Sequence, residues 1–290
     1  MADIWLNETL YPAWGQRFQV VQELAHVKSA FQDIVVFESL SHGRVLVLDG
    51  AIQITERDEF IYQEMLAHVP LLIHPKAEKI LIIGAGDGGV LRRVLQHRTV
   101  KKAVMVEIDG EVVALSRKYL PSIADGAWDD PRADVIIGDG IDYVAKAADD
   151  SFDVIIVDST DPIGVGEVLF SDDFYKNCAR ILSAEGVIVN QCGVPFMQAD
   201  ELRETSLRRA KFFPHVTAYV AAVPTYVGGF MTLGLAKKGS NPHSLEIAEI
   251  RHRAETAGIM SHCRYWTPEV QWSAFQLPPY ITDHLPVAQG

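Results

Sequence analysis

Short, wholly apolar segments alternate with amphipathic helical patterns from Lys79 onward, and this alternation constrains the fold more than any other feature of the chain. Strands that are apolar on both faces are typical of a parallel sheet covered by helices on both sides. The predicted strands span residues 80–83, 103–106, 133–137, 152–157 and 186–190, with a final antiparallel pair at 216–223 and 229–236. The sequence therefore predicts an α/β fold with a mainly parallel sheet.

A shorter β-rich region precedes this sheet. Apolar β patterns recur between residues 17 and 54, and Asp49-Gly50 is a strong hairpin signal. These patterns predict a small antiparallel β domain over residues 1–57. A helix is then expected at 55–68, where Thr55 and Asp58 have the spacing of a capping box, and residues 58–290 form the larger domain.

The last third of the chain carries two further helical patterns. A helix predicted at 200–213 contains four basic residues that are expected to form a solvated face, namely Arg203, Arg208, Arg209 and Lys211. A terminal helix near 244–257 is followed by a tail that the sequence predicts to be irregular.

A glycine-rich loop, Gly-Ala-Gly-Asp-Gly-Gly at residues 84–89, lies between the first strand of the parallel sheet and a helical pattern. Gly84, Gly86 and Gly89 match the dinucleotide spacing GxGxxG. Asp87 does not suit a pyrophosphate, because a carboxylate would stand where the helix N-terminus should attract an anion. The loop therefore predicts a cation or a sugar as its ligand.

Four acidic residues follow four strands of the predicted sheet: Asp87, Glu107, Asp139 and Asp158. Ligands of open α/β sheets bind beyond the carboxyl ends of the strands, so these side chains are expected around one crevice. Such crowding of negative charge is costly unless cations or hydrogen-bond donors occupy the crevice.

Each acidic residue has a chemical role to offer. Glu107 stands about 20 residues beyond the glycine loop, the distance at which an acidic side chain reaches ribose hydroxyls. Asp139, with Gly140, either accepts a hydrogen bond from an exocyclic amine such as that of adenine, or caps the helix over 141–147, or does both. Asp158 and Asp161 lie three residues apart in one loop and can hold an ammonium between them.

Other chemistries have little support in the sequence. The ten histidines form no HExxH motif and no zinc spacing, so no metal site is expected, and Ser159 is not in a GxSxG elbow. Tyr62 and Gln63 begin a helix, and packing with solvent exposure is the simpler interpretation of both.

Composition narrows the partners and the compartment. A net charge of −12 argues against nucleic acid. Three widely spaced cysteines without a CxxC motif indicate a reducing compartment. No basic-then-apolar leader precedes Trp5, and no apolar run approaches the roughly 18 residues that span a bilayer, so a cytoplasmic protein without a membrane role is expected.

Taken together, these motifs make the chain resemble the spermidine synthases, which are aminopropyltransferases, and the bacterial members most closely. The similarity spans nearly the whole chain. It rests on Asp49-Gly50 with Gln53, Thr-Glu-Arg-Asp-Glu at 55–59, Tyr-Gln-Glu-Met at 62–65, the glycine loop, Val-Glu-Ile-Asp at 106–109, Asp-Asp-Pro-Arg at 129–132, Gly-Asp-Gly at 138–140, Asp-Ser-Thr-Asp-Pro at 158–162 and Pro-Thr-Tyr at 224–226.

The resemblance implies a methyltransferase-like Rossmann fold behind a small β domain, and transfer of an aminopropyl group from decarboxylated S-adenosylmethionine to putrescine. It implies no metal or redox cofactor, only small-molecule substrates, and a homodimer or homotetramer. The implied donor-binding residues are Gln32, Asp87, Glu107, Ile108, Asp139, Gly140, Asp158 and Val165. The implied acceptor-binding residues are Tyr62, Gln63, Asp158, Asp161 and Tyr226, with Asp158 as proton acceptor.

Two positions depart from the family pattern. Ala85 replaces the usual middle glycine, and it should be tolerated if its φ stays negative. Val165 stands where many relatives have a proline near the thioether, so the resemblance does not define that wall of the nucleoside pocket.

Three alternatives remain at this stage. An NAD-dependent oxidoreductase would use GxGxxG and Glu107, although Asp87 and the absence of a basic group in the loop count against it. A non-catalytic nucleoside-binding protein would need Glu107 and Asp139 but not the pair Asp158 and Asp161. The third alternative is aminopropyl or methyl transfer to another amine, such as agmatine or spermidine, or N-methylation of putrescine.

Overall fold

The computed structural model describes residues 4–159 and 170–286, which form two β-sheets and the helices packed on them. The first sheet is antiparallel, in the order β1-β2-β3-β4-β5. Its strands are β1 (Ile4–Asn7), β2 (Arg17–Lys28), β3 (Asp33–Ser39), β4 (Gly43–Leu48) and β5 (Ala51–Thr55). Asp49 and Gly50 both have positive φ, 48° and 81°, which is the backbone of a tight two-residue hairpin turn, and the predicted hairpin is confirmed.

The second sheet has the order β11-β12-β10-β9-β6-β7-β8. Its strands are β6 (Lys79–Gly84), β7 (Lys102–Glu107), β8 (Ala133–Ile137), β9 (Phe152–Asp158), β10 (Leu182–Gln191), β11 (His215–Ala221) and β12 (Met231–Lys237). The strands β10, β9, β6, β7 and β8 are parallel, and β12 runs antiparallel to both of its neighbours. The predicted α/β class, its strands and the final antiparallel pair are confirmed.

Helices cover both faces of the second sheet. They are α1 (Glu59–Ile73), α2 (Gly89–Leu95), α3 (Gly110–Tyr119), α4 (Pro121–Ala124), α5 (Gly140–Lys146), α6 (Asp172–Ile181), α7 (Pro195–Arg209), α8 (Ile247–Ala257), α9 (Pro268–Ala274) and α10 (Pro279–Thr282). Ile80 and Ile82 of β6 pack into the core beneath α1, whereas Leu81 and Ile83 pack into the core on the opposite face. Because successive strand residues point to opposite faces, both sets must be apolar, which explains the uninterrupted apolar runs.

The helix predicted at 55–68 begins and ends later than its sequence pattern indicated. Thr55 ends β5, and α1 runs from Glu59 to Ile73 with Pro70 inside it. The hydroxyl of Thr55 donates to the carboxylate of Asp58 at 2.5 Å, so the expected capping box is absent. The last turn of α1, beyond the predicted end at residue 68, contains Pro70, which has no N–H to donate within the helix. Burial of nearly every residue of α1 stabilises this turn.

Two expectations for the last third of the chain are confirmed only in part, since Arg203 and Lys211 are exposed as predicted but Arg209 is not. Arg209 is fully buried rather than part of a solvated face, and its guanidinium donates to Asn190 and to Ser206. The tail after α8 is not wholly irregular, because Thr267 caps α9 through its side chain and α10 follows. Sequence periodicity cannot detect such short helices.

The first sheet ends at Thr55 and the second sheet begins at Lys79, with α1 between them. The domain boundary drawn between residues 57 and 58 stays a prediction. Within the described ranges, no helix combines the length and the apolar character that crossing a bilayer requires.

Candidate active site

A cleft of about 420 Å³ lies between the two sheets, beyond the carboxyl ends of the parallel strands. Eight carboxylates line this cleft, and no lysine, arginine or histidine of the described ranges does. The eight are Glu8, Asp49, Asp58, Glu59, Asp87, Glu107, Asp139 and Asp158. The four acidic strand ends thus share one crevice, which is strongly negative and suits cationic ligands.

The glycine loop brings its backbone close to Asp158. Gly84 has φ +82°, and a Cβ there would lie 2.1 Å from the carbonyl oxygen of Asp158. Ala85 has φ +61°, so the expectation that it stays at negative φ is wrong. Its N–H donates to the Asp158 carbonyl at 3.0 Å and its carbonyl accepts from Gly88, and these bonds hold alanine in the left-handed region at a local cost of roughly 1–2 kcal/mol.

Asp87 stands at the head of α2, with Oδ1 accepting from the Gly89 N–H at 2.7 Å and from Gln63 Nε2 at 2.9 Å. Burial raises the pKa of Asp87 to about 8, and the neighbouring carboxylate of Asp158 adds to the rise. An ammonium at this position would restore the ionised form, because an opposite charge stabilises the carboxylate.

Asp158 ends β9, and its Oδ1 accepts a hydrogen bond from the phenol of Tyr62 at 2.7 Å. Burial raises the pKa of Asp158 to about 6, while the bond from Tyr62 lowers it. Asp158 is therefore a carboxylate near neutral pH that can accept a proton. Tyr62 and Gln63 are both buried and bonded to carboxylates, so interpreting them as packing with solvent exposure is wrong.

Glu107 ends β7 and is buried, and its Oε1 accepts from the Asp109 N–H at 2.8 Å. Burial raises the pKa of Glu107 to about 7. Asp109 caps α3 and also accepts from Ser29 and from Gln32 Nε2, at 2.7 and 2.9 Å. Gln32 lines the cleft, so this network joins the first sheet to the carboxylate of Glu107.

Asp139 lies at the exposed edge of the cleft and caps α5, its Oδ1 accepting from the Ile141 N–H at 2.7 Å. The helix-capping role is confirmed. A Cβ at Gly140 would lie 2.5 Å from Ile83, so only glycine fits between α5 and β6. Ile108 supplies an apolar wall on the same side.

Tyr226 packs against Tyr62 in the lining of the cleft. The two rings meet edge to face, with centroids 5.4 Å apart, and the Tyr226 hydroxyl donates to the Gln53 carbonyl at 2.7 Å. The pair forms an aromatic wall beside Asp158. The remaining two predicted site residues, Asp161 and Val165, lie outside the described residues.

Several residues that line the cleft were not predicted from the sequence. Glu8 lines the cleft from the first sheet, and no local pattern marks it. Asp58 and Glu59 do so from the start of α1. Their motif was interpreted as a helix cap and as part of the family resemblance, and neither residue was predicted to line the site. Glu59 accepts from the buried Arg93, at 3.0 and 3.1 Å to its two oxygens.

Within the described residues, no cluster of three or more histidine, cysteine, aspartate or glutamate side chains is arranged to hold a metal ion.

Two protein-family models match the chain. Residues 59–245 match the spermine/spermidine synthase domain, and residues 4–56 match the spermidine synthase tetramerisation domain. A polyamine aminopropyltransferase of Pectobacterium carotovorum is 47% identical over 99% of both chains. Polyamine aminopropyltransferase 1 of Pseudomonas aeruginosa is 48% identical over 95% of both.

Solved structures agree with these matches. A spermidine synthase in complex with the transition-state analogue AdoDATO has a TM-score of 0.91 and 37% identity, over 97% of this chain and 94% of the other. The spermidine synthase of Thermotoga maritima has a TM-score of 0.89 at the same identity and coverage. The chain therefore belongs to the spermidine synthase family and is an enzyme, a polyamine aminopropyltransferase.

Proposed function

We propose that the enzyme transfers the aminopropyl group of decarboxylated S-adenosylmethionine to putrescine, giving spermidine and 5′-methylthioadenosine. The observation that carries this proposal is the cleft itself, which has eight carboxylates and no basic side chain among its described lining residues. The donor carries a sulfonium and an ammonium, and putrescine carries two ammonium groups. Opposite charge therefore attracts both substrates to the same place.

The donor would lie along the glycine loop and the ends of β7 and β8. Glu107 would bind the ribose hydroxyls, and Asp139 with Gly140 would bind the adenine. Gln32 and Ile108 line the same side of the cleft. Asp87 and Asp158 would hold the aminopropyl ammonium, and ionised Asp87 is the form that favours this cation.

The acceptor would lie against the aromatic wall of Tyr62 and Tyr226, with Gln63 and Asp161 completing its site. Its attacking nitrogen must first be neutral, and removing a proton from an amine with pKa near 10.4 costs roughly 4–5 kcal/mol at neutral pH. Asp158 accepts that proton and directs the lone pair. The nitrogen then attacks the carbon bound to sulfur, the new C–N bond forms as the C–S bond breaks, and the electron pair of the broken bond neutralises the sulfonium.

This mechanism needs no cofactor, because the positive sulfur already makes the thioether a good leaving group and Asp158 supplies the base. We accordingly propose that neither a metal nor a redox cofactor takes part. Unchanged turnover after exhaustive treatment with a metal chelator is the expected result, and loss of turnover that a metal restores would contradict it.

The test of the reaction is incubation of the enzyme with decarboxylated S-adenosylmethionine and, in separate assays, putrescine, agmatine and spermidine. We expect spermidine and 5′-methylthioadenosine in equal amounts, with the highest kcat/KM for putrescine. Comparable kcat/KM for agmatine or spermidine would contradict the proposed acceptor. Formation of N-methylputrescine from S-adenosylmethionine would instead identify a methyltransferase.

We further infer a cytoplasmic homo-oligomer, either a dimer or a tetramer. The match of residues 4–56 to a tetramerisation domain favours the tetramer. The first sheet also exposes apolar side chains that a second copy could cover, with Ile4 62% exposed and Val21 59%. Light scattering on the purified chain of 32.1 kDa would distinguish the two states, and a monomer would contradict both.

A further inference from the structure

Asp58 is a buried carboxylate at the cleft whose two oxygens are both bonded to the protein. Its Oδ1 accepts from the Thr55 hydroxyl at 2.5 Å. Its Oδ2 accepts from the N–H and from the hydroxyl of Thr225, at 3.1 and 2.7 Å. These bonds connect the end of β5 and the start of α1 to the loop between β11 and β12, which lies 167 positions further along the chain.

The loop that Asp58 holds carries one half of the aromatic wall. Thr225 immediately precedes Tyr226, whose ring meets Tyr62 edge to face. Tyr62 lies one helical turn beyond Asp58 on α1 and donates to Asp158. One buried carboxylate thus joins the residue before Tyr226 to the start of the helix that carries Tyr62.

The backbone around Thr225 has other bonds beside those to Asp58, among them the Tyr226 N–H donating to the Val223 carbonyl at 3.2 Å. Gln16 Nε2 donates to the Thr225 carbonyl at 2.5 Å, and the Tyr226 hydroxyl donates to the Gln53 carbonyl. Gly228 and Gly229 follow with positive φ, 121° and 113°, and do not stiffen the loop. Among the described residues, the bonds to Asp58 are the side-chain hydrogen bonds that join Thr225 to the start of α1.

We propose that Asp58 is a positioning residue for the acceptor amine. Resting on the proposed acceptor site, this role fixes the Thr225–Tyr226 segment against α1 so that the segment can bind the amine. On the donor side, Asp87 accepts from Gly89 and Gln63 and Glu107 accepts from the Asp109 N–H, and none of these bonds involves Asp58. Substitution of Asp58 by alanine should therefore weaken acceptor binding and leave donor binding unchanged.

The test compares Asp58→Ala with Asp58→Asn. Alanine removes all three hydrogen bonds. Asparagine can accept from the Thr225 N–H through its oxygen and donate to the Thr55 hydroxyl through its amide, so it preserves the connection. We expect the acceptor KM to rise about tenfold or more in Asp58→Ala and to stay within about threefold of the parent in Asp58→Asn. The donor Kd, measured by calorimetry, should change little in either variant.

Three further variants separate positioning from folding. Thr225→Ser keeps the hydroxyl that Asp58 accepts from and should retain the parent KM, whereas Thr225→Val loses it and should raise the acceptor KM. Thr55→Val is the matched control, because it removes a bond to Asp58 without touching the loop, and it should lower Tm more than it changes KM. If Asp58→Ala does not fold, the acceptor KM values of Thr225→Ser and Thr225→Val are compared instead.

A parallel loss of donor affinity, or a fall in kcat at constant acceptor KM, would overturn the proposal and leave Asp58 a purely structural residue. So would equal acceptor KM values for Thr225→Ser and Thr225→Val. The proposed function is tested separately by the parent enzyme. If the parent prefers another amine over putrescine, the same KM comparison is made with that amine.

Discussion

The phenol of Tyr62 donates a hydrogen bond to Oδ1 of Asp158 at 2.7 Å, across 96 positions of sequence. This bond lowers the pKa of a carboxylate that burial raises to about 6. It also ties the carboxylate to α1 at the cleft that both residues line. The bond thus keeps Asp158 ionised at neutral pH.

Removing this bond in Tyr62→Phe should raise the pKa of Asp158 further. The acid limb of the kcat/KM profile, which requires ionised Asp158, is then expected to move to higher pH. Tyr226→Phe is the matched control, because its hydroxyl donates to a backbone carbonyl and not to Asp158. Acid limbs that coincide in parent and Tyr62→Phe would show that Asp158 is not the group that titrates.

Asp158→Asn should lower the chemical step far more than it weakens donor binding, because an amide keeps the shape of the carboxylate but cannot take the proton. General-base contributions of about 10² to 10⁴-fold set the expected loss. Single-turnover rates with saturating substrates measure it directly. A variant rate within about tenfold of the parent would remove Asp158 from the role of base.

Asp87→Asn should reduce the discrimination between decarboxylated and ordinary S-adenosylmethionine. Above about pH 8, where Asp87 is ionised and where the comparison is made, the carboxylate of the ordinary nucleoside would meet a like charge. Two such charges at about 4 Å repel by roughly 4 kcal/mol at an effective dielectric constant of about 20, an upper range that solvent reduces. Dissociation constants of both nucleosides for parent and variant are the measurement. An unchanged ratio would make Asp87 a loop-capping residue only.

Donor binding should release protons at neutral pH. Asp87, with a pKa of about 8, and Glu107, with a pKa of about 7, are partly protonated in the free enzyme. The cationic donor stabilises their ionised forms, so donor affinity is expected to rise between about pH 6 and pH 8. Binding enthalpies that do not depend on the ionisation enthalpy of the buffer would contradict this expectation.

The substitution Asp87→Asn should also change how the stability of the fold depends on pH. The folded pKa of about 8 lies above the unfolded value of 3.8, so the folded state holds the proton in this window and the parent loses stability as pH rises through it. The asparagine side chain of the variant would carry no such charge and could still accept from the Gly89 N–H. The Tm of Asp87→Asn relative to the parent should therefore increase from about pH 5 to about pH 8.5. A constant difference would mean that Asp87 is ionised at low pH in the fold.

The strand-end carboxylates show how much of the site the sequence could predict. The apolar run 80–83 and its counterparts mark parallel strands, and the carboxyl ends of such strands meet at one edge. Asp87, Glu107, Asp139 and Asp158 had to converge there once the strands were recognised. The acidic character of the cleft was thus implied by local pattern and topology alone.

Other features depended on contacts that no local pattern encodes. Asp58 holds Thr225 across 167 positions, and neither residue alone indicates the other. Arg209 resembled its solvated neighbours, yet it is buried beside Asn190 because α7 packs on the sheet through that face. Ala85 was expected at negative φ, and the bonds of its N–H and carbonyl impose the opposite sign.

The sequence by itself determined the two sheets, the order of apolar strands and the acidic residues that follow them, because side-chain periodicity is a property of each segment. The tertiary structure alone decided which groups these carboxylates contact. Tyr62 and Gln63 became partners of Asp158 and Asp87 only when α1 packed across the glycine loop. The raised pKa values have the same origin, since burial and neighbouring charge exist only after the chain has folded.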